Sequence, residues 1–407
     1  MKKLLLFIVI CLPTLGFSQA DSVSIDAGYT HQAFYSFSNG LVKKSTSDWD
    51  LAFGIGGFNV DIRTNEGHSV KLYLYPNGDT AAWNNIDTTG LHNWMPRHND
   101  ENNWSNTAFT TGGNHPDYGW GVYNSTTHDV VGDSIYILQT KAGDFKKLRI
   151  DGMYAMTAEF KFTYANLDGS NEMTGTVKKT DYTGKNFAYY SIDNNNVLDL
   201  EPMAADWDIV FSKYGAVQPQ GGYYNVTGVQ TNKNRTSAEA RGVDLNTVDW
   251  NTQNFVSEVG TIGWDWKSFN MGTFSYDIED SLTYFVADTN NNVWQITMTA
   301  FDYTVGKFVF NKKRVSGVSV EDITNGFNEV KLFPNPATEN VTLNIESEQV
   351  INDIDVNIYS LTGQLVWSRK VDIVSQTNIE IPVHNWQKGI YIVRIGSSNV
   401  IQQLVVQ

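Results

Sequence analysis

Six of the seven histidines in this chain fall in its first third: His31, His68, His92, His98, His115 and His128. The seventh, His384, lies near the C-terminus. Neutral imidazole is the commonest side-chain metal ligand, so this clustering raises the question of a metal or cofactor site. Four of the six occupy one polar stretch, "LHNWMPRHNDENNWSNTAFTTGGNHPDYGWGVYNSTTH" at 91–128. Its Trp and Tyr rings could flank a flat ligand. Met95 and Met203 are alternative soft ligands. No spacing rule pairs these histidines. Pro96 lies between His92 and His98, so no helix holds them on one face, and no cysteine supports a zinc site. A long polar loop with several histidines is also what a solvated loop looks like.

Other chemistry is thinly represented. The sole cysteine is Cys11, so the rest of the chain has no thiolate nucleophile, disulfide or Cys-ligated metal. No Gly-x-Ser-x-Gly, HExxH or phosphate-binding glycine loop occurs. Carboxylates are plentiful, but nothing singles out a glycosidase pair. The clusters "DENN" (100–103), "DNNN" (193–196) and "DTNNN" (288–292) lack the spacing of a calcium loop and read as turns. An enzyme is not expected. A net charge of -15 repels phosphate backbones and argues against nucleic acid. Twelve Trp and twenty Tyr allow exposed platforms that stack on sugar rings, so a glycan-binding or adhesive protein without metal is the alternative class.

The elements that must position these residues come in duplicate. "SDWDLAFG" (47–54) and "ADWDIVFS" (205–212) share Asp-Trp-Asp followed by two apolar residues and Phe. "FYSFSNG" (34–40) resembles "YYSIDNN" (189–195), and "WGVYN" (120–124) resembles "WKSFN" (266–270). The closing segments 133–162 and 280–310 correspond as well. The same landmarks recur in the same order, which predicts two diverged modules, 21–170 and 171–315. Period-two alternation makes both β-rich. Trp49, Leu51 and Phe53, like Trp207, Ile209 and Phe211, are expected on one strand face as core, with the flanking aspartates on a solvated or turn-bonded face. On that expectation, Trp49 or Trp207 to Ala costs about 3–5 kcal/mol and unfolds its module.

Residues 1–20 read as an export signal: Lys2 and Lys3, an apolar run from Leu4 to Leu12, then small residues. That run is too short to span a bilayer, and no other stretch suits a membrane helix. Residues 316–328 are small and polar and predict a linker. Residues 329–407 predict a small β-sandwich. The fold expected for the whole is all-β.

This last unit resembles the type A sorting domain of the type IX secretion system of Bacteroidetes. The resemblance rests on Pro334-Asn335-Pro336, on Tyr359 with Gly363 in "YSLTGQ", and on Gly389-Ile390-Tyr391. It implies that the type IX machinery carries the protein across both membranes to the cell surface or beyond. The repeated module resembles the HmuY family, through "DWDLAF", "DWDIVF", "IGWDWKSFN" (262–270) and "YFVADTNNNVWQITMTAFDYTVGKFVF" (284–310). That resemblance implies haem capture by two residues projecting from the variable middle of the module. In the first module, His92 or His98 with His115 or His128 are then the candidate haem ligands. The second module, without histidine, offers only Met203, Met271 and Met298, which read as packing residues.

Overall fold

The computed structural model describes residues 19–111, 113–218, 221–316, 329–347, 350–374, 376–395 and 400–407. Residues 1–18 of the expected signal peptide and most of the expected linker lie outside the described residues, whereas Gln19 and Ala20 open a strand. Those residues form antiparallel β-sheets joined by turns and short 3-10 segments, with no α-helix among them. The chain divides into two compact units, one ending at Val315 and one starting at Ser316.

The first unit contains two β-sandwiches. One sheet of the first sandwich runs Met173–Lys178, Glu159–Asn166, Phe145–Tyr154, with Ile135–Gln139 and Val130–Gly132 sharing the far edge of Phe145–Tyr154. Opposite lies the sheet Asn196–Leu198, Phe187–Ser191, Leu51–Gly54, Ile62–Thr64. Phe53, fully buried, stacks on Phe162 at 5.0 Å, and Trp120 and Tyr136 close the core. The second sandwich repeats this plan. Gln19–Ser24, Lys307–Arg314, Val293–Asp302, Leu282–Ala287 and Ser237–Arg241 face Tyr223–Thr231, Ile209–Val217, His31–Ser36 and Gly40–Thr46. Here Phe211 stacks on Phe310 at 5.5 Å, with Trp266 and Tyr284 in the matching places. Even the bulges correspond, at Ile150/Gly152 and at Met298/Ala300.

The sheets do not follow the sequence boundary near 170. The first strands of each sequence copy pair with the other copy. Gln19–Ser24 lies on Lys307–Arg314, and His31–Ser36 pairs with Ile209–Val217 through Tyr35↔Ile209. Reciprocally, Met173–Lys178 lies on Glu159–Asn166, and Phe187–Ser191 pairs with Leu51–Gly54. Residues 19–46 therefore complete the second sandwich. His31 belongs there too, so that sandwich does contain a histidine.

The Asp-Trp-Asp phrase supplies the join. Asp50 and Asp208 are each 2 % exposed. Asp50 Oδ2 accepts the backbone N–H of Ile192 at 2.7 Å, and Asp208 Oδ2 accepts that of Phe37 at 2.9 Å. The main chains add Asp50 N–H to Tyr190 O and Asp208 N–H to Tyr35 O. These aspartates are turn-bonded but buried rather than solvated. Because residues 47–50 bend to make these bonds, regular alternation begins only at residue 51. Trp49 and Trp207 consequently leave the face shared by the next apolar residue and Phe. Trp49 packs with Ala52, Phe187 and Tyr189, and Trp207 with Phe34 and Val210, both between the two sandwiches. Their contacts match: Trp49–Tyr189 and Trp207–Phe34 are edge-on at 5.0 Å each. Trp104 touches both groups. The expectation of sandwich-core tryptophans is corrected to junction tryptophans; Phe53 and Phe211 are the interior pair.

The second unit packs the strands Glu329–Phe333, Asn340–Glu346 and Gln376–Pro382 on a four-stranded sheet made by Leu365–Ile373, Ile351–Ser360, Gly389–Ile395 and Val400–Val406. In the Pro334-Asn335-Pro336 segment, Asn335 Nδ2 donates to Gln403 O and its Oδ1 accepts the Val405 N–H, fastening the last strand. Gly363 takes φ +83° in the turn after Ser360, a conformation that disfavours side chains. Gly389 opens its strand opposite Val406, and Tyr391 donates its hydroxyl to Gln387 O at 2.7 Å.

Trp207 is 2 % exposed, whereas Trp49 is only half-buried. Denaturant unfolding of the full chain should therefore show Trp207→Ala losing about 3–5 kcal/mol and Trp49→Ala clearly less. Equal losses would contradict the difference in burial between the two junction tryptophans.

Candidate functional site

The segment 91–106 of the variable middle does not hang in solvent; it bridges the sandwiches. Trp104 Nε1 donates to Thr231 O, Glu101 accepts the N–H groups of Val217 and Trp264 (Nε1), and Val259 N–H donates to Asn102 O. Beside this bridge, the 3-10 turn Glu66–His68 lies against strand Ile209–Val217, so closely that a Cβ on Gly67 would run into the carbonyl of Lys213. Between these contacts opens a cleft of about 1000 Å³ lined from both sandwiches.

Aromatic rings dominate its walls: Tyr73, Trp94, Tyr223, Tyr224, Trp264 and Tyr276 among them. Its charges are one-sided. Among the described residues, Lys71, Arg97, Lys213 and Lys267 line it, as do His92 and His98, against the single carboxylate of Glu66. Burial pushes Lys213 down, and Lys267 down to about 7. Lys267 Nζ donates to Thr227 O at 2.5 Å and sits over the Trp266 ring.

Glu66 is the organising group of one wall. Its side chain is 7 % exposed, and it accepts His98 Nδ1 at 2.9 Å, Tyr223 Oη at 2.5 Å and Asn99 Nδ2 at 3.0 Å. The Asn99 N–H is also within 3.2 Å. The His98 ring lies flat on Tyr223 at 3.5 Å. Burial and the Glu66 charge together raise the Tyr223 phenol far above its ordinary value. Behind them Arg63 is fixed by the carbonyls of Asn103, Trp104 and Asp100, with its guanidinium over Trp104.

The four candidate histidines separate into two places. His92 and His98 line the cleft. His115 and His128 are exposed and gather around Tyr123, with His128 Nδ1 2.6 Å from its hydroxyl and the His115 ring 5.2 Å away. Met95 and Met203 are exposed, Met271 is exposed rather than packed, and Met298 is core. Among the described residues no three His, Cys, Asp or Glu side chains converge as a metal site. The Asp288 carboxylate accepts from Asn290, Asn292 and Trp294, as turn chemistry predicts. Glu66, Lys213 and Tyr223 had no signal in the sequence, because Lys213 and Tyr223 share one hairpin and only the packing of the two sandwiches brings Glu66 to them.

A second, smaller cavity of about 70 Å³ lies at the junction, lined by Gln32, Trp49, Trp207, Glu201 and Tyr214 among others. Burial raises Glu201 to about 7, although its carboxylate accepts the N–H groups of Asn186 and Phe187. The Trp207 indole lies near enough to favour that carboxylate but lacks hydrogen-bond geometry.

Residues 331–407 match the secretion system C-terminal sorting domain. A stretch of 131 residues is 26 % identical to an endo-acting ulvan lyase of Formosa agariphila, covering 31 % of this chain and 23 % of that protein. The chain thus spans under a quarter of that relative's length. A solved structure of dimeric latent PorU from Porphyromonas gingivalis aligns with 83 % of this chain and 34 % of its own at 12 % identity, but a TM-score of 0.18 gives that likeness no weight. No helix among the described residues is long and apolar enough to cross a membrane. The sorting domain assigns the protein to the type IX secretion machinery and to the cell surface or the extracellular space.

A carboxyl group that holds its proton more tightly folded than unfolded penalises the folded state once ionised. Stability therefore falls as pH rises from the ordinary glutamate range, about 4.5, to about 7. Glu201→Gln should shrink the difference between urea midpoints at pH 5 and pH 8. An unchanged difference would show that Glu201 is not the buried acid described.

Proposed function

We propose that this protein is a surface or secreted binder of acidic polysaccharide, held in the cleft between the two sandwiches. The observation that carries the reading is the sign of the cleft among the described residues: the cations Lys71, Arg97 and Lys213, beside a Lys267 that burial holds near neutrality, against one carboxylate, in a chain of net charge -15. A cationic groove on an acidic protein attracts anionic ligands and rejects neutral ones by comparison. The aromatic walls supply faces on which sugar rings stack. An open cleft of about 1000 Å³ has room for several sugar rings. The partial likeness to an enzyme named for ulvan agrees with a glycan ligand.

Haem capture is the second reading. It is favoured by the family resemblance and by two imidazoles, His92 and His98, in one aromatic cleft. It ranks below because His98 has one ring face covered by Tyr223 and its Nδ1 engaged by Glu66, and because His115 and His128 lie elsewhere.

Affinity electrophoresis of the full chain in gels carrying alginate, polygalacturonate, a sulfated glycan or neutral glucan separates these readings. Retardation is expected in acidic gels only, weakening with salt. Lys71→Ala with Lys213→Ala should weaken binding at least tenfold. Retardation by neutral glucan alone, or none, would overturn the reading. A hemin titration whose Soret shift disappears on replacing His92 and His98 would favour haem instead.

A further inference from the structure

We infer that the cleft is catalytic as well as binding: His98 is a base that cleaves uronate-containing chains by β-elimination. This rests on the acidic-polysaccharide reading above.

The first support is the setting of the imidazole. An ionised carboxylate only accepts hydrogen bonds, so the Glu66 contact places a proton on His98 Nδ1. The neutral ring then carries its lone pair on Nε2, which has no hydrogen-bond partner among the described residues. His98 lines the cleft with its side chain 33 % exposed, so this basic edge is open to a ligand. A buried carboxylate that fixes the tautomer and orientation of a half-exposed imidazole is how a general base is built. The Tyr223 ring and the Asn99 bonds to Glu66 immobilise the pair further. A histidine that merely joined the two sandwiches would not need an open nitrogen on the cleft. His68, two residues from Glu66, shows the contrast: burial and nearby Lys213 push it down to about 4, and it does not line the cleft.

The second support is what the cleft lacks. Hydrolysis by the usual glycosidase route uses two carboxyl groups flanking the scissile bond. Among the described residues that line these walls Glu66 is the sole carboxylate, and it is saturated by its neighbours. Elimination needs only one base, plus cations to neutralise the sugar carboxylate. Lys71, Arg97 and Lys213 provide the cations. With the carboxylate of a uronate paired to them, its C5–H becomes acidic. Nε2 takes that proton, the C5–H electron pair forms the C4=C5 double bond, and the C4–O4 bond breaks. The same Nε2–H then returns the proton to departing O4. The products are a new non-reducing end bearing C4=C5 and a new reducing chain end, with no water or redox partner consumed.

The test uses the full chain with alginate, polygalacturonate and a sulfated uronate glycan. Conversion is read from the ultraviolet absorbance of the new double bond, and binding from gel retardation in parallel. Wild-type protein should generate unsaturated ends from at least one polymer that retards it. His98→Gln should lower turnover about 100-fold or more while retardation persists. Glu66→Gln, altering a positioning residue, should lower kcat about 10- to 100-fold with KM little changed. Retardation without unsaturated ends in wild type would overturn the base and leave the binding reading standing. Absence of retardation by every acidic polymer would overturn both. Full turnover in folded His98→Gln would also overturn the base; the wild-type assay decides even where a variant fails to fold.

Discussion

Two buried carboxylates hold the first unit together. Asp50 and Asp208 each receive a backbone N–H from the hairpin that the other sequence copy supplies, Ile192 in one case and Phe37 in the other. Burial raises Asp50 to about 6 and raises Asp208 as well, so ionising them inside the fold costs free energy that these bonds partly offset. Each junction is reinforced in the same way by an asparagine. Asn65 Nδ2 donates to Ser47 O and Trp49 O, and Asn232 Nδ2 donates to Ala204 O and Trp207 O. Remove this clasp and the incoming hairpin loses both its register and its reason to cross over.

The crossing has consequences for everything else. Since each sandwich is completed by chain from the other half, neither is independent of the other. The outer faces of the exchanged sheets meet through Trp49, Trp207 and Trp104, with Ser45 Oγ bonded to Leu200 O and Asn186 Nδ2 to Asn232 Oδ1 across the seam. At the margin of that seam Gly67 permits near-contact with Lys213. This approach carries Glu66 and His98 of one sandwich to Tyr223 of the other. The cleft is thus a product of the join rather than of either module alone.

Much of this was legible in the sequence and some was not, for physical reasons. Strand alternation, the repeated landmarks and the terminal sorting motif are local patterns, and the all-β class and the matching Phe53 and Phe211 cores followed from them. Local alternation misplaced the tryptophans, because a side chain–backbone bond at Asp50 and Asp208 interrupts it before the strand begins. Strand exchange leaves no local trace either: the same hairpin sequence pairs within its copy or across it. Histidine clustering pointed at the right neighbourhood through His92 and His98. It included His115 and His128 because chain proximity does not report which side of a sandwich a loop reaches. Glu66 and Tyr223 belong to segments that look ordinary in isolation.

The most direct measurement is hydrogen–deuterium exchange of the full chain with and without an acidic oligosaccharide that it binds. The account predicts protection in peptides from both sandwiches at once, covering 66–74 and 92–98 on one side and 213–227 and 264–276 on the other. Protection confined to 114–128, or to peptides of one sandwich, would contradict a site built at the join.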